Sequence, residues 1–129
     1  MKPAICYFDD EKILLDLFTE MFKDAYEIRT AETVAEARRL LSQCPDIIMS
    51  DWKMPEISGA AFLSEAAERC PGSFRIMLTG YASAGDMLTE IGSGVVQLFI
   101  PKPWTELEMR EALERAILTR ARPGRKTLG

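Results

Sequence analysis

Histidine is absent from the 129 residues of this sequence, and its absence excludes several kinds of chemistry. A hydrolase with a histidine base, a histidine-ligated metal centre and a phosphohistidine carrier all need that side chain. Long apolar runs are also absent: residues 4–8 form a run of strand length, whereas a membrane-spanning helix needs about 20 apolar residues. Phosphoryl chemistry in this chain must therefore use carboxylates, and we expect a soluble protein.

Cysteine is scarce, and the 16 basic residues are outnumbered by 20 acidic ones. Cys6, Cys44 and Cys70 are odd in number and lack the spacing of a metal site, which favours free thiols in a reducing cytoplasm over a disulfide. The net charge of −4 gives no general attraction for nucleic acid. Only the end of the chain, from Arg120 onward, is basic, and such a segment is more typical of a solvated tail or linker. We expect a cytoplasmic protein without direct contacts to nucleic acid or membrane.

Strand-length apolar runs alternate with amphipathic helical stretches five times along the chain. The predicted strands are Ala4–Phe8, Tyr26–Thr30, Asp46–Ser50, Phe74–Leu78 and Val95–Ile100, and the predicted helices are Ile13–Phe22, Val34–Leu41, Ala60–Arg69, Ala84–Ile91 and Glu106–Leu118. This alternation predicts an α/β fold with a parallel sheet covered on both faces. Right-handed crossovers, with strand one inside and the alternating second strand at an edge, favour a doubly wound, flavodoxin-like sheet of order 2-1-3-4-5.

Polar side chains stand where the predicted strands end. Asp9 and Asp10 follow the first strand, Asp51 the third, Thr79 the fourth and Lys102 the fifth. The carboxyl ends of parallel strands lie at one edge of the sheet, so we expect these five residues to converge on one site. Three carboxylates there would repel one another by about 4 kcal/mol per pair at about 4 Å. Lys102 and a divalent cation would offset that repulsion, and oxygen ligands favour Mg²⁺ or Mn²⁺ over zinc.

Each of these residues also has an ordinary structural interpretation. Asp9 or Asp10 could cap the first helix, Thr79 could serve a turn, and Lys102 could be a surface charge. Asp51 is harder to explain in this way, because a carboxylate at the end of a buried strand is costly without compensation. With a cation beside it, Asp51 can act as an oxygen nucleophile toward a phosphoryl group, with charge neutralised by Lys102 and a hydrogen bond from Thr79.

Four motifs together resemble the response-regulator receiver family. They are Phe8-Asp9-Asp10-Glu11, Asp51-Trp52-Lys53-Met54-Pro55 with Gly59, Leu78-Thr79-Gly80-Tyr81-Ala82, and Lys102-Pro103-Trp104. The resemblance spans roughly Lys2 to Leu118, and the motifs stand in the order and spacing of that family. It implies a phosphoacceptor domain of a two-component system. Such a domain is not a dedicated enzyme, but it catalyses its own phosphorylation and dephosphorylation.

The resemblance also implies roles for individual residues. Asp51 would be the phosphorylated aspartate, and Asp10 and Asp51 would supply oxygens to the metal ion. Asp9 would act at least partly through water, and the backbone carbonyl of Lys53 would be a further ligand. Catalytic assistance would come from Thr79 and Lys102.

A switch is implied as well. Thr79 and Phe99 would be the switch pair, changing the face made by the fourth helix, the fifth strand and the last helix, and the Lys102-Pro103 bond would be cis. Lys53 and Tyr81 resemble residues that tune the lifetime of the phosphorylated state. We therefore expect that state to last longer than seconds.

Partners follow from the same resemblance: a sensor histidine kinase or phosphotransfer protein as donor, a C-terminal effector domain or downstream protein as target, and a homodimer through the switch face as a further candidate. Residues 1–119 would form the receiver and residues 120–129 a basic tail or the start of a linker.

Two alternative functions remain. One is a phosphorylation-independent interaction module; the other is a phosphatase of haloacid-dehalogenase type, which needs an acid where this chain has Lys53.

Overall fold

Five short apolar runs form the strands of one sheet, and amphipathic segments form helices between them. The computed structural model describes residues 2–80 and 92–120 of the chain. Its strands are β1 (Ala4–Phe8), β2 (Glu27–Ala31), β3 (Ile47–Asp51), β4 (Phe74–Thr79) and β5 (Leu98–Pro101), and its helices are α1 (Lys12–Phe22), α2 (Val34–Leu41), α3 (Gly59–Arg69) and α4 (Glu106–Thr119). The predicted helix at 84–91 lies outside the described residues.

All four strand pairings are parallel, and the sheet order is β2-β1-β3-β4-β5. This confirms the predicted fold class and strand order. β3 and β4 are buried along their whole length, whereas most of β2 is at least partly exposed. The alternating sequence of β2 thus belongs to an edge strand with one solvated face, as predicted.

Helices cover both faces of the sheet, and each face has its own core. On one face, Tyr7 and Met49 pack with Phe18 of α1 and Leu113 of α4. On the other, the side chains of β1, β3 and β4 pack against α2 and α3; the buried residues there include Phe8, Ile48, Met77, Leu41 and Phe62. The two-sided burial explains why the central strands are continuously apolar in sequence.

Several strand boundaries differ from the predicted ones. β3 and β4 each run one residue further, so Asp51 and Thr79 are the last residues of their strands. β5 begins at Leu98 and not at Val95. The reason lies in Arg75 of β4, whose guanidinium Nε donates to the Val95 carbonyl at 2.7 Å. Side-chain hydrogen bonds therefore hold the segment before β5 against the sheet.

Two helices begin with a reciprocal hydrogen-bonded cap. The Thr33 hydroxyl accepts from the amide of Glu36, and the Glu36 carboxylate accepts from the amide of Thr33. Thr105 and Glu108 repeat this arrangement at the start of α4. Each cap satisfies backbone N–H groups that a helix start leaves without partners. The cap at Thr105 fixes the start of α4 shortly after Lys102.

The end of α4 is attached to the opposite edge of the sheet. Arg120 Nε donates to Asp46 Oδ1 at 2.8 Å, and Asp46 Oδ2 accepts from the Ala4 amide at 2.8 Å. Asp46 precedes β3 and Ala4 opens β1, so one carboxylate connects two strand starts to the last helix. This use of Asp46 as an acceptor agrees with a β3 that begins only at Ile47.

Cys44 and Cys70 form a disulfide with a Cα–Cα distance of 5.3 Å, so the expectation of free thiols is wrong for these two residues. α2 and α3 both end at the amino edge of the sheet, and the two cysteines follow those ends. Neighbouring crossovers thereby bring together residues that are 26 positions apart. Cys6 is free and buried, and burial raises the pKa of its thiol to about 12.

Candidate functional site

Three carboxylates meet at the carboxyl edge of the sheet, where β1 and β3 end. Asp9, Asp10 and Asp51 each place an oxygen within 4.8 Å of the others. Asp9 is fully buried, Asp51 is 9% exposed and Asp10 is exposed. The cluster thus has two sheltered carboxylates and one that faces solvent. It lies at the switch point between β1 and β3, where an open α/β sheet forms its crevice.

Lys102 supplies positive charge to this cluster. Its Nζ lies 2.6 Å from Asp51 Oδ1 and 3.6 Å from Asp9 Oδ2. Burial alone would lower the pKa of the ammonium, but the hydrogen bond to Asp51 and the negative charges of Asp9 and Asp51 outweigh it. The pKa of Lys102 therefore lies above its ordinary value, and the side chain stays charged at neutral pH. The Lys102 amide also donates to the Thr79 carbonyl at 2.8 Å, which fixes the loop that carries the ammonium.

Asp9 is held from both of its oxygens. Oδ1 accepts from the Glu11 amide and Oδ2 accepts from the Tyr7 hydroxyl, each at 2.9 Å. Burial raises the pKa of Asp9, although these two hydrogen bonds and the charge of Lys102 counteract it. The N-cap of α1 is Glu11, and no side chain caps that helix. Asp9 bonds the amide of Glu11 itself, so the alternative role of Asp9 as a helix cap is not realised.

Tyr7 is a site residue that the sequence analysis missed. It was part of an apolar run, and such runs indicate core. One signal was available: residues two positions apart on a strand lie on the same face, so a tyrosine two residues before Asp9 can reach its carboxylate. Burial and the negative charge of Asp9 raise the pKa of Tyr7, so its phenol remains protonated and donates.

The loop after β3 approaches the site through a glycine. A Cβ added to Gly59 would lie 2.2 Å from the Asp51 carbonyl oxygen and 2.8 Å from Met77 Sδ. Gly59 also donates its amide to the Trp52 carbonyl at 2.8 Å. Only glycine allows α3 to begin this close to the end of β3. Lys53 lies in the same loop, where it forms an isolated bridge with Ser58.

The remaining predicted site residues lie on β4 and β5. Thr79 is 5% exposed and directly follows Leu78, the partner of Asp51 in the sheet. Phe99 is half-buried and pairs with Met77, two residues before Thr79, so Phe99 and Thr79 are on the same face of the sheet. The Lys102-Pro103 peptide bond is cis, as predicted. Tyr81 lies outside the described residues.

The donor set suits a hard divalent cation. All three candidate side chains offer carboxylate oxygen, and Lys102 pairs with two of them, so the cluster holds more negative than positive charge. Oxygen-only, carboxylate-rich sets favour Mg²⁺ or Mn²⁺, and a cation would relieve the excess negative charge.

In residues 2–80 and 92–120, every helix is too short or too polar to cross a membrane.

Comparison with known proteins finds similarity to response regulators. The model of the response regulator receiver domain family matches residues 5–114. The chain is 28% identical to the hydrogenase transcriptional regulatory protein HoxA of Cupriavidus necator over 90% of its length, and 31% identical to the transcriptional regulatory protein GlrR of Escherichia coli, also over 90%. These matches cover 24% and 27% of the two regulators, so the chain spans about a quarter of their length.

A solved response regulator receiver domain protein from Clostridium thermocellum has the same fold. It superimposes with a TM-score of 0.82 and 27% identity, covering 90% of this chain and 94% of that one. The family match covers most of the sheet and its helices, and it includes every residue of the acidic cluster and Lys102. The chain therefore belongs to the response regulator receiver domain family of two-component signalling systems.

Proposed function

We propose that Asp51 accepts a phosphoryl group in a reaction that depends on a divalent cation, and that the modified domain switches its output face. The observation that carries this proposal is the contact of 2.6 Å between Asp51 Oδ1 and Lys102 Nζ, beside two further carboxylates. Lys102 pairs with Asp51 and Asp9, and Asp10 adds a third carboxylate to the cluster, which is more negative charge than one ammonium can balance. Such an excess of negative charge favours a site for a cation and a phosphoryl group.

Asp51 fits the acceptor role better than Asp9, the other sheltered carboxylate of the cluster. Asp9 is fully buried, and both of its oxygens are occupied by hydrogen bonds. The Asp51 side chain retains 12% of its accessible surface at the end of β3, where a phosphoryl donor can reach it. An Asp51 oxygen would attack phosphorus in line with the leaving group. The P–N bond of a phosphohistidine, or the P–O bond of acetyl phosphate, would break as the new O–P bond forms.

The cation would be held by Asp10 and Asp51, with Asp9 at least partly through water and the carbonyl of Lys53 as a further ligand. Bound there, it would supply charge neutralisation for the transferring phosphoryl oxygens. Lys102 would shift from its pairing with Asp51 to the phosphoryl oxygens, and the Thr79 hydroxyl would donate to one of them. Both residues are fixed to the site edge through the backbone bond between Lys102 and Thr79.

The switch would operate between β4 and β5. Thr79 and Phe99 share a face of the sheet on neighbouring strands, so movement of the Thr79 hydroxyl toward a phosphoryl group would free space on the side that Phe99 packs against. The output face would include β5 and α4, together with the predicted helix at 84–91. For this switch to work, the phosphoryl group must bind one conformation better, typically by about 1–3 kcal/mol.

The biological setting is part of the same proposal. A sensor histidine kinase or phosphotransfer protein would donate the phosphoryl group in the cytoplasm. Residues 1–119 would be the receiver and residues 120–129 a tail or linker toward an effector domain or partner protein, consistent with relatives that are about four times longer. The domain would catalyse its own phosphorylation and dephosphorylation, and a homodimer could form through the switch face.

Labelling with acetyl phosphate tests the chemistry. Wild-type protein with Mg²⁺ should gain one phosphoryl group by intact mass, and the Asp51→Asn variant or wild type with EDTA should gain none. Asp16→Asn is a matched control, because Asp16 is an exposed carboxylate on α1 paired with Lys12, and this variant should label like wild type. Decay of the labelled state over times longer than seconds is expected. Labelling of Asp51→Asn would refute the assignment, and failure of wild type to bind Mg²⁺ would favour a phosphorylation-independent interaction module.

A further inference from the structure

The Tyr7 hydroxyl joins the hydrophobic core to the acidic cluster. Tyr7 is fully buried, and its ring packs edge-on against Phe18 with the centroids 5.1 Å apart. Its hydroxyl donates to Asp9 Oδ2 at 2.9 Å. A buried phenol needs a hydrogen-bond partner, and here the partner is a carboxylate of the candidate metal site. The aromatic packing fixes the ring, so the ring in turn fixes the direction of the hydroxyl.

Three groups determine where the Asp9 carboxylate lies. The Glu11 amide holds Oδ1, whereas the Tyr7 hydroxyl holds Oδ2, and Lys102 Nζ lies 3.6 Å from Oδ2. The backbone is fixed as well, since the Asp9 amide donates to the Ala31 carbonyl at 3.1 Å. Of these groups, Tyr7 is the side chain that forms a hydrogen bond of ordinary length with Oδ2. Without the Tyr7 hydroxyl, the longer contact with Lys102 would be the one left to Oδ2 among the described residues.

We propose that Tyr7 is a positioning residue for divalent-cation binding and that it acts through Asp9. This inference rests on the proposed function. Groups that hydrogen-bond to metal ligands orient them in advance, and removing such a group typically weakens metal affinity by about 10–100-fold. Asp9 is expected to act partly through water, so the effect of losing the hydroxyl should be near the lower end, about tenfold.

The Tyr7→Phe variant removes the hydroxyl and keeps the ring in the core. Binding of Mg²⁺ alone, followed by isothermal titration calorimetry, should weaken about tenfold relative to wild type. Tyr26→Phe is the matched control, because Tyr26 is a second core tyrosine on the same side of the sheet and should bind Mg²⁺ like wild type. Once Mg²⁺ saturates the Tyr7→Phe protein, its rate of labelling by acetyl phosphate should return to within about twofold of wild type, as expected for a role in binding.

A double-mutant cycle separates positioning from a general effect on packing. If Tyr7 acts through Asp9, then Tyr7→Phe should cause no further loss of Mg²⁺ affinity in an Asp9→Asn background. Loss of equal size in both backgrounds would overturn the inference. If Tyr7→Phe alone fails to fold, the double variant is compared with Asp9→Asn, and a further loss of Mg²⁺ affinity there would overturn the inference. The double variant should fold more readily, because Asp9→Asn removes the buried charge that has too few hydrogen-bond donors without the Tyr7 hydroxyl.

The two proposals fail in different ways. If wild type neither binds Mg²⁺ nor labels at Asp51, the proposed function fails. If wild type binds Mg²⁺ and is labelled at Asp51, but the Mg²⁺ affinity of Tyr7→Phe is within about twofold of that of wild type, the inference about Tyr7 is refuted and the proposed function stands.

Discussion

Replacing Lys102 with methionine should destabilise the metal-free fold, because it removes the positive charge that two sheltered carboxylates share. At an effective dielectric of about 20, the contacts of 2.6 Å to Asp51 and 3.6 Å to Asp9 correspond to attractions of about 6 and 5 kcal/mol. Desolvation of the ammonium cancels part of this gain. Breaking a buried pair typically costs about 3–5 kcal/mol, and 23% of the Lys102 side chain is accessible, so we expect about 3 kcal/mol.

Urea unfolding in EDTA, followed by circular dichroism, measures this loss directly. Magnesium should then restore part of the stability of Lys102→Met, and it should stabilise this variant more than wild type, since a cation would supply the missing positive charge. Lys12→Met is a suitable control. Lys12 pairs with Asp16 on the exposed surface of α1, and its loss should cost less than about 1 kcal/mol.

The electrostatic reasoning would be refuted by either of two results. One is a free energy of unfolding in EDTA that differs from wild type by less than about 0.5 kcal/mol. The other is equal stabilisation of the two proteins by magnesium, which would mean that the cation and the Lys102 ammonium do not share the same carboxylates.

Three further predictions concern the stability of the fold. Gly59→Ala should lower the free energy of unfolding by about 1–3 kcal/mol in urea, because its Cβ would overlap the Asp51 carbonyl. Gly92→Ala should not, because no described residue outside its own chain segment comes within 4 Å of the added Cβ; equal effects of the two substitutions would contradict this reasoning. Reduction of the Cys44–Cys70 disulfide, verified by intact mass, should destabilise the fold by about 3 kcal/mol, and an unchanged urea midpoint would refute it. Thr105→Ala should cost about 1 kcal/mol by the same assay through loss of its helix cap, and no loss would exclude that contribution.

The sheet and the convergence of the acidic cluster could be predicted because both depend on the order of elements. Parallel strands with right-handed crossovers leave few arrangements, and every arrangement places the ends of β1 and β3 at the same edge. Asp9, Asp51 and Lys102 then come together wherever the intervening loops lie. The boundaries were less accurate, because they depend on single hydrogen bonds such as that between Arg75 and the Val95 carbonyl.

Contacts between side chains were harder to predict from the sequence. Tyr7 stands within an apolar run, and nothing in its type distinguishes a core phenol from one that donates to a carboxylate. The pairing of Cys44 with Cys70 depends on how close the ends of α2 and α3 lie, and the number and spacing of cysteines in the sequence do not predict that distance. The sequence also does not predict that Gly59 packs against the Asp51 carbonyl, which is the contact that requires a glycine there.

The bond between Arg120 and Asp46 has a practical consequence for anyone who attaches a reporter to this chain. Asp46 immediately precedes β3 and Asp51 ends it, so the strand separates the Cα atoms of the two residues by about 16 Å at about 3.3 Å per residue. A fluorophore or affinity handle joined just after Arg120 would leave from the far rim of the molecule and would not obstruct the acidic crevice.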